Sequence, residues 1–342
     1  MKKSLIALAV AGAFAAPAFA ATSNVDVYGR MDVVIQDTNA AGTEMQVTDN
    51  ASRLGFKGTE DLGGGLKAIW QIESQLNPGG NDGLDGEAVA GKAAGTLGGR
   101  NTFVGLAGGF GTFLMGRHDT PYKLGTASLD IFSDNIGDYN GRLMSVDPVN
   151  STHDHRSGNA IAYVSPTWDG FHFAAAVVAT NDAVAFDNNN KTFDAYSLTG
   201  VYANGPLFAS LSYQDVVDVA GAPGNQSSKA WKVGLGYTFG DAKVGFVYED
   251  INNDAGGLNN GIDRSSWVIN GVYNMGPIAL KAQYGKIKDW TSLGQDPNKW
   301  DLGVDYALSK RTKAYVVYSS VNDDDPTTKN LHGYNIGLQH NF

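Results

Sequence analysis

Trp231-Lys232-Val233-Gly234-Leu235-Gly236-Tyr237-Thr238-Phe239 decides the fold. Successive side chains of a strand point to opposite faces, so Trp231, Val233, Leu235, Tyr237 and Phe239 form one apolar face with aromatics at both ends. Lys232, Gly234, Gly236 and Thr238 form the other face, which suits water. Between residues 25 and 342 the same unit recurs: about ten alternating residues, then a turn or loop. A strand that crosses a membrane needs about 9–11 tilted residues, whereas strands of soluble sandwiches cluster near about 5–6. Most units here are long, and the pattern predicts an all-β, transmembrane β-barrel.

Lys2 and Lys3 precede an apolar run over residues 5–16, and Ala18-Phe19-Ala20 supplies the small residues of a cleavage site. Residues 1–20 therefore read as a Sec-type signal peptide, the run being too short for a spanning helix of about 20 residues. Residues 21–342 read as one barrel domain. Mean hydropathy is −0.21, as expected of a barrel, because half of each strand faces water. There is no cysteine, so strand pairing and burial must hold the fold without disulfides in the oxidising compartment that the signal implies. A formal charge of −10, or −12 without Lys2 and Lys3, argues against a nucleic-acid partner. The 44 glycines and 15 tyrosines suit a wall that bends and rims that carry amphipathic rings.

Seven short connections are legible: Asp61-Leu62-Gly63-Gly64-Gly65, Ala107-Gly108-Gly109-Phe110-Gly111, Pro166-Thr167-Trp168-Asp169-Gly170, Asn204-Gly205-Pro206, Gly240-Asp241, Met275-Gly276-Pro277 and Ser309-Lys310-Arg311. Eight longer polar stretches alternate with them, near residues 38–51, 77–99, 118–158, 181–193, 215–228, 252–263, 289–298 and 322–332. Fifteen connections imply a 16-stranded antiparallel barrel with short periplasmic turns, long external loops and both termini on the short-turn side. Ala21 and Phe342 would then be neighbours at the closure of the barrel, leaving no backbone edge to face lipid.

A barrel this wide leaves an aqueous channel. Parity places Asp26, Tyr28, Arg30 and Asp32 on the inner face of the first strand, then Arg53 and Lys57, then Lys67 and Glu73, while Arg100 and Arg117 begin and end the next hairpin. Such charges set ion selectivity. The stretch 118–158 is the longest connection; Leu129, Ile131, Phe132, Ile136, Tyr139, Leu143 and Met144 stand there among Asp119, Asp130, Asp134 and Asp138. That mixture predicts a third loop folded inward, its acids opposite the wall arginines.

Ser52-Arg53-Leu54-Gly55-Phe56-Lys57-Gly58-Thr59-Glu60-Asp61-Leu62-Gly63, continued by Gly65-Leu66-Lys67-Ala68-Ile69-Trp70-Gln71, resembles the early hairpin of Gram-negative general porins of the neisserial and β-proteobacterial type. Phe103-Val104-Gly105-Leu106, Gly109-Phe110-Gly111-Thr112, Gly116-Arg117 and Thr120-Pro121 resemble the approach to that family's constriction loop, and Tyr163-Val164-Ser165-Pro166, Gly170-Phe171 and the terminal Phe342 match as well. The resemblance implies homotrimers in the bacterial outer membrane, among lipids and lipopolysaccharide, with a water-filled pore for ions and small hydrophilic solutes. It makes Arg53, Arg100 and Arg117, with Arg30 added by parity, candidates for the basic side of an eyelet, and Asp130 and Asp134 candidates for its loop side. The Pro-Glu-Phe-Gly-Gly loop signature of enterobacterial porins is absent. The basic wall points to anion preference despite the acidic total charge.

Neither a cofactor nor a metal site is expected. His153-x-His155 reads as two solvated imidazoles, since a closed metal site needs about three or four ligands, and Asp323-Asp324-Asp325 reads as a solvated loop tip. An enzyme would need a nucleophile and base in reach, and the chain has no Gly-x-Ser-x-Gly context. A substrate-specific channel and a surface adhesin or receptor barrel are the alternatives.

Overall fold

The computed structural model describes residues 24–39, 45–78, 97–140, 153–179, 192–216, 227–253, 263–288, 296–322 and 330–342. Residues 1–20, Ala21, Leu143, Met144 and Asp323-Asp324-Asp325 lie outside them. The strands are β1 (Asn24–Thr38), β2 (Gln46–Asp49), β3 (Arg53–Gly63), β4 (Leu66–Gln75), β5 (Thr102–Gly108), β6 (Gly111–Asp119), β7 (Arg156–Val164), β8 (Phe171–Ala179) and β9 (Phe193–Asn204). The second half comprises β10 (Leu207–Val216), β11 (Ser228–Phe239), β12 (Ala242–Asn253), β13 (Arg264–Met275), β14 (Ile278–Lys288), β15 (Asn298–Ala307), β16 (Thr312–Asn322) and β17 (Leu331–Asn341).

Neighbours in sequence pair antiparallel, and β17 pairs back with β1 from Arg30↔Asn341 to Thr38↔Gly333. Segments β2 and β3 lie along the same edge of β1 and form a single barrel strand, so sixteen strands close the wall. Between them, Asn50, Ala51 and Ser52 stand opposite only Met31 and Asp32, with Ala51 at φ 58°. The extra residue is a bulge, and it bends the wall beside Arg30 and Arg53. The expected first loop, 38–51, is therefore shorter than the sequence suggested, because Gln46–Asp49 returns to the sheet.

All seven short turns fall where the sequence placed them. Gly205, Gly240 and Gly276 open two-residue hairpin loops at φ 56–58°, a left-handed conformation in which a Cβ is costly. Closure is completed by Phe342, whose N–H and C=O bond the C=O and N–H of Gly29 at 3.1 and 3.0 Å.

Apolar side chains cover the outside: Leu235, Leu302 and Leu338 are 47, 52 and 54% exposed, while Lys232 and Asp301 on the same strands are 0% exposed. Near the long-loop rim, aromatics run across successive strands. Tyr213↔Trp231, Tyr248↔Trp267, Tyr284↔Trp300 and Tyr318↔Tyr334 are cross-strand partners. Ring contacts of 5.1, 5.6 and 5.1 Å join Trp231–Tyr248, Trp267–Tyr284 and Trp300–Tyr318. Tyr202, Tyr237, Phe239, Tyr273, Tyr306 and Phe342 serve the opposite rim. Two belts with an apolar band between them mark the span of a membrane.

Candidate functional site

The third loop leaves β6 and turns into the lumen. Thr120 caps the short helix α1 (Pro121–Leu124) by accepting the N–H of Lys123, and Pro121 begins it. The Tyr122 N–H donates to Ser197 Oγ, which fixes α1 to β9. From there the loop lies along the inner wall in three apolar seats. Tyr122 packs with Ala230 and Ile251; Leu129 and Tyr139 with Val247, Val268 and Ile287; Phe132 with Val34, Tyr315 and Val317. Each fully buried side chain of this kind contributes about 1.5–3 kcal/mol to docking.

The wall is shaped to receive them. A Cβ on Gly236 would lie 2.9 Å from Leu129 Cδ2, and one on Gly303 would lie 2.6 Å from Phe132 Cε1. These two glycines serve as sockets for the loop, a use that composition alone does not reveal. Inward lysines and amides hold the main chain: Lys243 Nζ donates to Ser128 O at 2.7 Å, Asn270 Nδ2 to Leu129 O at 2.8 Å and Lys281 Nζ to Ile131 O at 3.0 Å. Gln283 Nε2 donates to Gly137 O at 2.9 Å, and Lys299 Nζ to Ile136 O and Asp138 O at 2.9 and 3.0 Å. Parity alone marks these residues as inward; nothing in the sequence marks them as anchors.

The loop then reaches β1 and β3. Asp134, at φ 68° and with its N–H bonded by Asp138 Oδ2, takes Arg30 Nη2 at 2.7 Å and has Arg53 Nη1 at 3.6 Å. Asp tolerates this left-handed conformation better than most residues. Among the described residues, Asp134 is the loop acid that meets these two arginines. Asp130 instead accepts the Phe132 N–H at 3.1 Å, and burial beside Asp138 pushes its carboxyl well above the usual carboxylate range. Asp138 also accepts the Asn140 N–H at 2.7 Å.

Further along the wall, Glu73 binds Arg100 Nε at 2.6 Å and accepts the Tyr28 hydroxyl at 3.0 Å. Lys57 Nζ stands 5.2 Å from the centre of the Tyr28 ring. Arg117 Nε donates to Gly99 O at 2.9 Å. Asp119 closes the base of the loop, pairing with Lys123 at 2.9 Å and Arg156 at 3.1 Å. Arg156 and Lys123 were missed by sequence reasoning, although Arg156 sits opposite Asp119 in the ladder. On this arc seven cations (Arg30, Arg53, Lys57, Arg100, Arg117, Lys123 and Arg156) stand with five carboxylates (Asp26, opposite Lys57, with Asp32, Glu73, Asp119 and Asp134).

His153 corrects another expectation. It is fully buried, not solvated, and burial depresses its imidazole to about 3. Among the described residues, no group of three or more His, Asp or Glu stands close enough to hold a metal ion.

A closed membrane barrel whose lumen is narrowed by an inward loop between facing charges defines a passive, water-filled channel. The model of the Gram-negative porin family matches residues 7–326, and the chain belongs to that family: it is an outer-membrane porin for ions and small hydrophilic solutes. It is 31% identical to outer membrane porin protein 32 of Delftia acidovorans, over 97% of this chain and 92% of that protein. It is 27% identical to the major outer membrane protein P.IB of Neisseria meningitidis over the whole of both chains. The solved anion-selective porin from Comamonas acidovorans superimposes with a TM-score of 0.77 at 26% identity, covering 94% of this chain and 100% of that one.

Proposed function

We propose that the pore prefers anions, and that its eyelet is lined by the basic arc of Arg30, Arg53, Lys57, Arg100 and Arg117, with the Asp134–Arg30 contact pinning the loop tip at one edge of the opening. The excess of cations over carboxylates along that arc carries this reading, because a permeating ion responds to the local field rather than to the net charge of the chain. The described similarity to an anion-selective porin supports it. No chemical step accompanies passage, so the chain is not an enzyme. Residues 1–20 are removed on export, and the mature barrel, residues 21–342, assembles as a homotrimer among outer-membrane lipids and lipopolysaccharide.

The test is the reversal potential of the purified protein in a planar bilayer under a salt gradient, repeated with Arg30→Gln and Arg53→Gln together. Anion preference that falls in the double variant is expected. Cation preference in the parent protein, unchanged in the variant, would sink the reading. Solute flux that saturates would instead mark a substrate-specific channel.

A further inference from the structure

His153 lies on the returning limb of the third loop, immediately before β7, in a seat made by several wall strands. Its Nε2 is 2.8 Å from Ser228 Oγ on β11, and its Nδ1 is 3.2 Å from Gln214 Nε2 on β10. The same Gln214 Nε2 donates to the carbonyl oxygen of His153 at 3.0 Å. That second bond fixes the amide with its NH2 group towards the histidine. Nδ1 must then accept, the single ring proton sits on Nε2, and the ring is neutral. A second ring proton would point at a donor.

The surroundings offer that proton one opposing carboxylate, Glu249, which is already engaged. Tyr122 of α1 covers the ring at 5.7 Å between centres, and Lys232 of β11, Glu249 of β12 and Arg264 of β13 surround it, with Asp154 and His155 on its own limb. Lys232, itself fully buried, already binds Asp154 Oδ2 at 2.7 Å and Glu249 Oε1 at 3.2 Å. Glu249 also accepts the Tyr122 hydroxyl at 2.7 Å. The nearby carboxylates are thus engaged, and an imidazolium would join Lys232 and Arg264 as a further buried cation.

We propose that protonation of His153 releases residues 153–155 from the wall and makes the conductance of the pore sensitive to acid. The same limb carries Asp154 to Lys232 and Arg156 to Asp119, so its release loosens the third loop at its returning end. The inference rests on the reading of this loop as the constriction.

Burial, acting against the pull of Glu249 and joined by smaller contributions from His155, Arg264 and Lys232, holds the docked imidazole at about 3, whereas a solvated histidine titrates near about 6.5. The docked limb therefore binds the proton more weakly than the released one. Docking is undiminished above about pH 6.5, then weakens about tenfold for each pH unit below it, until the docked ring itself titrates. Asp154 acts in the opposite sense. Burial raises its carboxyl against the pull of Lys232, so its protonation favours the docked limb, and neutralising it removes an offset.

The experiment is unitary current in planar bilayers from pH 7.5 to 4, with amide hydrogen exchange of the 153–158 segment in the same folded protein. An acid transition in current and a loss of exchange protection are expected, both abolished by His153→Gln and retained by His155→Gln. Asp154→Asn should steepen the transition. No transition in either readout, or the same transition in His153→Gln, overturns the proposal. Should His153→Gln fail to fold, NMR of labelled histidine in the parent protein decides: a docked His153 titrating near 6.5 overturns it, and one still neutral below pH 5 supports it. Hydrogen exchange needs no conduction, so a protein that passes no current would sink the reading of the pore while leaving the release measurable.

Discussion

The carboxylate of Asp134 holds the guanidinium of Arg30 at 2.7 Å across 104 residues of sequence, joining the tip of the third loop to the first strand of the barrel. Arg53 stands 3.6 Å from the same carboxylate, on the far side of the wall bulge. One acid is thereby shared by two cations, and their meeting pins the tip of the third loop to the wall.

Asp134→Asn removes the charge while keeping the shape. With about 1 kcal/mol of screened Coulomb energy at stake for a contact of this length, the anion-to-cation permeability ratio should rise by up to about fivefold. Reversal potentials before and after substitution measure this directly, and an unchanged ratio would remove Asp134 from the eyelet.

Selectivity that arises from the field of the arc must depend on ionic strength. The screening length falls from about 10 Å at 0.1 M salt to about 3 Å at 1 M. Anion preference should weaken over that range at a constant gradient ratio, and a preference that holds steady would point to steric selection.

Leu129→Ala empties a seat beneath Gly234 and Gly236 and should weaken docking of the loop by about 2–5 kcal/mol. The barrel itself should still run as a folded, heat-modifiable band on a gel. Open-channel current noise is expected to rise, and a quiet channel would show that the loop does not depend on this seat.

Gly303→Ala places a methyl group 2.6 Å from Phe132 Cε1, and overpacking of this kind costs about 1–3 kcal/mol. In a Phe132→Ala background the cost should largely disappear. A double-mutant cycle of thermal stability tests the contact, since additive effects would mean that the two residues do not press on one another.

Deleting Phe342 removes two backbone bonds to Gly29 and the ring that covers it. The fraction of chains reaching the heat-modifiable state should fall, while chains that do close should conduct normally.

The wall was legible because alternation is a local signal. Trp231 to Phe239 declares its faces without reference to any other strand, and turns such as Gly240-Asp241 declare their geometry from two residues. Arg30, Arg53 and Glu73 followed from the same parity. The seating of the loop was not legible, because Gly303 and Phe132 carry no mutual signal and become partners only after the barrel has closed. His153 failed for the same reason: a histidine among polar residues looks solvated until Ser228 and Gln214 are brought around it from strands far along the chain. Asp130 and Asp134 are alike in sequence, and the turn between them decides which one meets the arginines.

Lys243, Lys281 and Lys299 grip the third loop by carbonyl oxygens, a feature common to every residue type. Side chains on the water-facing side of that loop can therefore change without unseating it. The aperture and its lining are separately variable, so a lineage carrying this scaffold can retune which solutes pass while keeping the size of the hole.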